Sequence, residues 1–246
     1  MPGPKRYASN QSPLPDGRNA LGRERIVAES LKLLEESGLS GLSTRRLAER
    51  LRVKSPALYW HVHSKDELLQ LIADAICAQI HVPERKRSYR EQLEAIAHEY
   101  RRVLLKYRDA TRLFAEQPPT GPHRIRLYDA AVGAFLDAGF SKAEAVAMTT
   151  FYRHYLLGMI AEELRMRHIE GGNALSPAFA LGSALQHLEK TGHDFQNLKG
   201  TSELLRDLQP EKLFEIGLTV LLNGIECRRK EIKRPGPSLS SNDAVR

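Results

Sequence analysis

Several features that mark other classes of protein are scarce or missing in this chain of 246 residues. It has two cysteines, Cys77 and Cys227, which lie 150 positions apart, a spacing that builds neither a disulfide framework nor a cysteine metal cluster. No apolar run approaches the length of a membrane-spanning helix, and the first residues lack the apolar segment of a signal peptide. We therefore expect a cytoplasmic chain with no membrane contact.

The sequence also lacks the motifs of common enzyme classes. It has no Gly-rich phosphate loop, no nucleophile elbow and no His-x-x-x-His zinc pattern with a Glu between. The stretch RHYLLGMIAEE places His154 and Glu162 on one helical face, but it offers no further partner for catalysis. We predict no enzymatic activity, no cofactor and no bound metal, and a helical enzyme stays as an alternative.

Positive charge is concentrated at the N-terminal end. Residues 1–65 hold 12 Lys and Arg against 6 Asp and Glu, so they carry +6 of the formal net charge of +7. Residues 66–246 therefore carry only +1. This asymmetry is expected when one end of a protein meets a polyanion such as nucleic acid. The alternative interpretation is a solvated basic face.

The hydrophobic pattern is helical almost throughout, without strand-like alternation or a repeat of fixed period. The two ends, residues 1–19 and 233–246, are rich in Pro, Gly, Ser and Asn, which predicts a disordered basic arm and a disordered tail. Between them we expect one domain over residues 20–66 and a second over residues 67–232. The predicted fold class is all-α, with a looser, Gly- and polar-rich region over residues 168–200.

Three short helices are predicted in the first domain. The first spans residues 22–37 and stops at Gly38, and the second spans residues 44–51. After the link RVK, Ser55 is expected to cap a third helix with Pro56 at its first position. A short helix, a three-residue link and another short helix form the helix-turn-helix pattern of DNA-binding proteins.

The third helix carries the aromatic run Tyr59, Trp60 and His61. Leu58 and Val62, four residues apart, are expected to hold this helix against its neighbours, so the aromatic run points outward. An exposed aromatic cluster is unfavourable unless it docks against something, and the major groove of DNA admits a helix. The alternative is a small core helix with ordinary aromatic packing.

Longer helices are predicted in the second domain. Ser64 and Glu67 form a predicted capping box at the start of a helix over residues 65–80. Apolar periodicity predicts further helices over residues 91–107, 121–139, 141–166 and 210–231. The helices at about 142–166 and 210–230 are too apolar for a monomer surface, and Gly158, Gly217 and Gly224 would allow close approach. We therefore predict a two-fold homodimer through a four-helix bundle.

The segment GLSTRRLAERLRVKSPALYWHVHSKDELLQLIADAI, residues 41–76, resembles the tetracycline-repressor-like (TetR) family of transcriptional regulators. A weaker similarity continues to about residue 230, with 168–208 unmatched. The resemblance implies an N-terminal three-helix domain that binds an operator in double-stranded DNA. It also implies a helical domain that dimerises and binds a small-molecule effector, which releases the repressor from a palindromic operator.

The resemblance assigns roles in the first domain. Arg45 matches a base-contacting residue and Thr44 a phosphate contact, and Arg is the commonest reader of guanine. Lys65 lies at a helix N-terminus, where phosphate is favoured. The recognition-helix positions that face base edges in the family correspond here to Ser55, Pro56, Ala57 and Tyr59. The positions that contact the DNA backbone correspond to Trp60, His61 and Lys65.

The predicted effector site departs from the tetracycline-binding members of the family. These hold a magnesium–drug chelate partly through a His, and the matching residue here is Phe114, which cannot ligate a metal. By the same match, His81 corresponds to a drug-contacting His of those members, and Glu162 corresponds to an acidic residue that orients metal-bound water. We expect effector binding without magnesium, between the helix of Phe114 and the long helix that carries Phe151, Tyr155 and Glu162.

Aromatic and Met side chains are concentrated in the middle helices. Each of them alone is explained by core packing, but as a set they suit an adaptable cavity for a largely apolar or aromatic molecule. The set comprises His98, Phe114, Tyr128, Phe135, Met148, Phe151, Tyr152, Tyr155 and Met159. A ligand-independent DNA-binding or architectural protein stays as the second alternative.

Overall fold

The computed structural model describes residues 21–167 and 177–233, and every regular element in these ranges is a helix. The helices are α1 (Arg23–Gly41), α2 (Thr44–Leu51), α3 (Ser55–Tyr59), α4 (Lys65–Ala78), α5 (Tyr89–Leu104), α6 (Ala110–Glu116), α7 (Pro122–Asp137), α8 (Lys142–Arg167), α9 (Pro177–Lys190), α10 (Ser202–Arg206) and α11 (Pro210–Lys233). This architecture confirms the predicted all-α class. The predicted arm (1–19) and nearly all of the predicted tail (233–246) lie outside the described residues.

The first three helices share one small core. Leu34 of α1, Leu47 of α2 and Leu58 of α3 are all buried, and each such side chain stabilises the fold by about 1.5–3 kcal/mol. Helix α4 also packs against α1, so the domain boundary predicted at residues 66 and 67 falls in the first turn of α4. This helix therefore belongs structurally to both domains.

The ends of α1 and α3 differ from the sequence-based prediction. Gly38 interrupts α1 with a φ of +66° rather than ending it, and the helix continues to Gly41. Helix α3 begins at Ser55 itself, so the predicted Ser55 cap is wrong: Lys54 occupies the cap position and provides no side-chain acceptor. Pro56 has no N–H, which leaves one donor fewer at this helix start to be satisfied.

The start of α4 forms only half of the predicted capping box. The hydroxyl of Ser64 accepts the N–H of Glu67 at 3.0 Å. The Glu67 carboxylate, however, accepts the N–H of His63 and lies 2.7 Å from the Arg23 guanidinium. Arg23 also donates to the carbonyl of His61. The carboxylate thus fastens the start of α1 to the turn between α3 and α4.

Gly38 marks the other attachment of the first domain to the rest of the chain. The Asp109 carboxylate accepts the N–H of Leu39 at 2.9 Å. A Cβ at Gly38 would lie 2.3 Å from that carboxylate oxygen, and its positive φ also favours glycine. The end of α1 is therefore held against the turn that precedes α6.

The second domain is built around α7, which packs against α4, α5 and α8, while α11 packs against α8. The seven apolar positions predicted for the α5 segment, residues 93, 96, 97, 100, 103, 104 and 107, are all buried. Among the described residues, none of the helices combines the length and apolarity required to cross a lipid bilayer.

Helix α9 was not predicted. Its residues 177–190 fall in the region expected to be looser, so that prediction is wrong there, whereas residues 168–176 lie outside the described ranges. Helices α9 and α10 pack closely together. A Cβ at Gly182 would lie 2.4 Å from the carbonyl oxygen of Ser202. Gly182 therefore serves the packing of these two helices rather than chain irregularity.

Candidate functional site

The N-terminal domain presents a basic and aromatic surface, formed by α2, α3 and the start of α4, which we call the α2–α3 surface. The Arg45 side chain is 87% exposed, and its Nε lies 3.0 Å from the Glu49 carboxylate one turn later. Trp60 is 84% exposed, whereas Leu58 and Val62 are buried beneath it, as predicted. The surface can therefore offer aromatic and cationic contacts while its apolar side chains hold it in place.

The aromatic run leaves the helix rather than lying along it. Helix α3 ends at Tyr59, Trp60 is its C-cap, and His61 lies in the following turn. Lys65 is exposed as the first residue of α4. None of the nine predicted DNA-contacting residues is buried: Arg45, Pro56, Tyr59, Trp60 and Lys65 are exposed, and Thr44, Ser55, Ala57 and His61 are partly exposed.

The α2–α3 surface includes two further cations, Arg52 and Lys54, which are exposed at the link between α2 and α3. Sequence reasoning did not include them, although the basic link RVK carried the signal. Arg50 has a different role, because its guanidinium contacts the carboxylates of Glu29 at 2.9 Å and Glu36 at 2.5 Å. It therefore ties α2 to α1 instead of facing a partner.

A small cavity of about 40 Å³, partly open to solvent, lies between α4, α5, α7 and α8. Its wall consists of Cys77, Ile96, Tyr100, Pro119, Arg124, Leu127, Tyr128, Ala131, Thr149, Tyr152, Arg153 and Leu156. The site was predicted between the helix of Phe114, which is α6, and α8. Helix α8 does form one wall, but α6 contributes no residue to the cavity. The remainder comes from α4, α5, α7 and Pro119 in the link before α7.

Two arginines form the most polar part of this cavity wall. Arg124 is only 4% exposed, and its guanidinium donates to the carbonyls of Gln117, Pro118 and Phe114 at 2.9–3.3 Å. Arg153 donates to the same Phe114 carbonyl at 3.0 Å. Burial lowers the pKa of Arg124, but the ordinary value is so high that the group stays charged.

The other polar wall groups are neutral. Burial raises the pKa of the Cys77 thiol to about 12, so the thiol stays protonated and unreactive at neutral pH. The Tyr152 hydroxyl donates to the carbonyl of Leu93 at 2.5 Å. Thr149 Oγ1 is buried and has no hydrogen-bond partner in the described ranges.

Two of the eleven residues predicted for the effector site line the cavity. They are Tyr128, whose hydroxyl lies 2.7 Å from Thr150 Oγ1, and Tyr152. Phe114 and Phe135 are fully buried in the core, because their rings pack against neighbouring aromatic rings. Phe114 nonetheless shapes the cavity, since its carbonyl holds both arginines.

The other seven residues of that set lie away from the cavity wall. Tyr155 and His98 contact α11: the Tyr155 hydroxyl donates to the carbonyl of Phe214, and His98 Nδ1 lies 3.6 Å from Glu215. Glu162 pairs with Arg165 at the surface. The remaining four are His81 and Phe151, which are exposed, and Met148 and Met159, which are half-buried against the core.

Sequence reasoning missed Arg124, Arg153, Thr149 and Cys77. A signal existed for Arg124, since it shares a helical stripe with Leu127 and Ala131, both buried. The sequence contained no such signal for Arg153. In the described part of the chain, no group of three or more His, Cys, Asp and Glu residues is placed to hold a metal ion.

Comparisons with known proteins match both domains. The family model described as bacterial regulatory proteins, tetR family, matches residues 26–72. The model of the tetracyclin repressor-like C-terminal domain matches residues 82–229. The chain is 32% identical over 211 residues to the tetracycline repressor protein class A from transposon 1721 of Escherichia coli, covering 85% of this chain and 92% of that protein.

Two solved structures support the same assignment. The TetR family protein ActR from Streptomyces coelicolor, in complex with actinorhodin, is 27% identical with a TM-score of 0.75, covering 85% of this chain and 99% of that one. TetR from Acinetobacter baumannii AYE is 29% identical with a TM-score of 0.61 and the same coverage of both chains. This chain, with its exposed helix-turn-helix and its helical second domain, belongs to the TetR family of bacterial regulatory proteins and is a DNA-binding transcriptional regulator.

Proposed function

We propose that the chain is a homodimeric repressor that holds a palindromic operator through the α2–α3 surface. When an apolar or aromatic molecule enters the cavity, the repressor dissociates from the operator. The observation that carries this proposal is that one helix, α4, contacts both the DNA-binding domain and the cavity. The solved complex of ActR with actinorhodin supports a small-molecule effector, since that relative shares the fold.

Helix α4 provides a physical route between the two sites. Cys77 near its end lines the cavity, and Asp74, one turn earlier, accepts the backbone N–H of Arg124 at 2.9 Å. At its other end, Glu67 holds Arg23 of α1. A molecule that displaces the start of α7 would therefore shift α4 and, with it, the spacing of two α2–α3 surfaces.

The outer faces of α8 and α11 suit a second copy of the chain. Val146, Phe151, Ile216 and Val220 are exposed there. A Cβ placed at Gly158 or Gly224 would meet no described atom within 4 Å outside its own stretch of helix. Two copies joined across these faces would form a four-helix bundle and present two α2–α3 surfaces to two half-sites.

Gly217 lies where α11 packs against α8 of the same chain. A Cβ at this position would lie 2.7 Å from the Tyr155 hydroxyl. This glycine therefore permits the close approach of these two helices within one chain.

The proposal is tested by selecting bound sequences from random double-stranded DNA and then screening aromatic compounds for release. We expect a palindromic consensus, and release that persists when a chelator removes magnesium. An asymmetric single half-site would contradict the dimeric binding mode. Failure of every compound to release DNA would favour the ligand-independent alternative.

Replacing Arg45 by Ala is expected to relax the sequence preference at one position of each half-site and to weaken specific binding by about 1–3 kcal/mol. Arg112→Ala is the matched control, because Arg112 forms the same kind of exposed i,i+4 pair, with Glu116 on α6. The measurement compares the binding affinity of each variant for the operator with its affinity for random DNA. If Arg45→Ala lowers the affinity for both DNAs equally, Arg45 does not recognise a base.

Replacing Lys65 by Ala is expected to weaken binding to every DNA sequence alike. A lost phosphate contact should reduce the slope of log affinity against log salt by about one unit. The measurement is a salt titration on operator and on random DNA. A variant with an unchanged salt slope, or with loss on the operator alone, would contradict the phosphate-contact role.

A further inference from the structure

The cavity wall carries two cations, Arg124 and Arg153. Their hydrogen bonds go to backbone carbonyls, and the Arg124 guanidinium also lies over the Phe114 ring, 4.9 Å from its centroid. Within the described ranges, no carboxylate forms an ion pair with either guanidinium; the nearby Asp74 carboxylate binds the backbone N–H of Arg124 instead. Arg124 is buried and Arg153 is half-buried, and a charge removed from water without an ion-pair partner is costly, so this wall favours an anion.

The wall includes a further polar group, the hydroxyl of Thr149. Thr149 is 2% exposed, and its hydroxyl has no hydrogen-bond partner in the described part of the chain. A buried hydroxyl left without a partner is unfavourable, and native structures rarely retain one without a reason. Thr149 lies one turn before Arg153 on α8, so both groups can reach the same ligand atom.

We propose that the cavity selects aromatic molecules that carry an anionic group, a carboxylate or an ionised phenol. The anion pairs with Arg124 and Arg153 and accepts a hydrogen bond from Thr149, while the ring system packs against the apolar wall. This inference rests on the proposed function, because it names the chemical class of the effector. It is also consistent with a wall in which the described residues include neither a carboxylate nor a histidine.

The experiment compares 2-naphthoate with 2-naphthamide, two probes of nearly equal shape that differ in charge. Isothermal titration calorimetry on the full chain should show that naphthoate binds at least about 10-fold more tightly, as expected for charge-assisted hydrogen bonds. Arg153→Met should remove the preference. Arg126→Met is the control, because this α7 arginine lies outside the wall and donates to the carbonyl of Ile80.

Thr149→Val provides a variant that is expected to fold normally. It preserves side-chain shape and removes an unsatisfied hydroxyl, so the thermal midpoint should stay equal or rise. The affinity for naphthoate should nevertheless fall several-fold. A residue with a merely structural role would lose stability and leave the affinity unchanged, and that result counts against the proposal.

The remaining outcomes separate the ligand class from the proposed function. Equal affinity for the two probes, absence of saturable naphthoate binding, or a preference that survives Arg153→Met overturns the anionic assignment. Operator release is measured in parallel. Naphthoate binding without release supports the assignment and contradicts the repressor mechanism, whereas release by aromatic compounds irrespective of charge supports the mechanism and overturns the assignment.

Discussion

Replacing Glu163 by Ala is expected to lower the free energy of unfolding by about 3–5 kcal/mol, the cost of breaking a buried ion pair. The Glu163 carboxylate is buried and accepts two hydrogen bonds from Arg101, at 2.8 and 2.9 Å, and one from Arg167 at 2.6 Å. Without it, the largely buried Arg101 keeps the exposed carboxylate of Glu211 and the face of the Phe214 ring. Because the Arg101–Glu211 pair remains, we expect the loss in the free energy of unfolding to be about 3 kcal/mol, the lower end of this range.

The adjacent residue provides the control for this prediction. Glu162 pairs with Arg165 at the surface, so Glu162→Ala should cost only about 0–1 kcal/mol. Urea unfolding of both variants at one protein concentration measures the difference, since dimerisation makes stability depend on concentration. Equal midpoints for the two variants would show that the Arg101–Glu163 pair does not hold α5 to α8.

Replacing Val220 by Glu is expected to dissociate the dimer and to abolish tight operator binding. Val220 is 65% exposed on α11 within one chain, in the face that we propose a second copy covers. Because the interface is two-fold, one substitution places two carboxylates in it. A loss of about 3 kcal/mol or more from buried charge corresponds to dimerisation weakened by at least about 100-fold.

Ile125→Glu is the matched control for the dimer prediction. Ile125 is 54% exposed but lies on α7 rather than on α8 or α11. Sedimentation equilibrium and operator binding should therefore be unchanged in this variant. A Val220→Glu chain that still sediments as a dimer, or an Ile125→Glu chain that dissociates, would place the interface elsewhere.

The all-α architecture and the helix-turn-helix could be predicted because their signals are local. The Ser43 hydroxyl accepts the N–H of Arg46 at the start of α2, and Pro210 begins α11. The apolar positions of α5 define its buried face by spacing alone. Caps, prolines and periodicity act within a few residues, so the sequence contains all that they require.

The position of the cavity depends on contacts between distant residues and was decided only by the tertiary structure. A phenylalanine has the same sequence signature whether it fills a core or lines a cavity: Phe114 and Phe135 fill the core, whereas Tyr128 and Tyr152 face the cavity. Arg124 is charged, which favours the surface, yet the fold buries it because three backbone carbonyls converge on its guanidinium. These carbonyls belong to the end of α6 and the link that follows it, and their convergence depends on how α6 and α7 pack, which no periodic pattern in the sequence indicates.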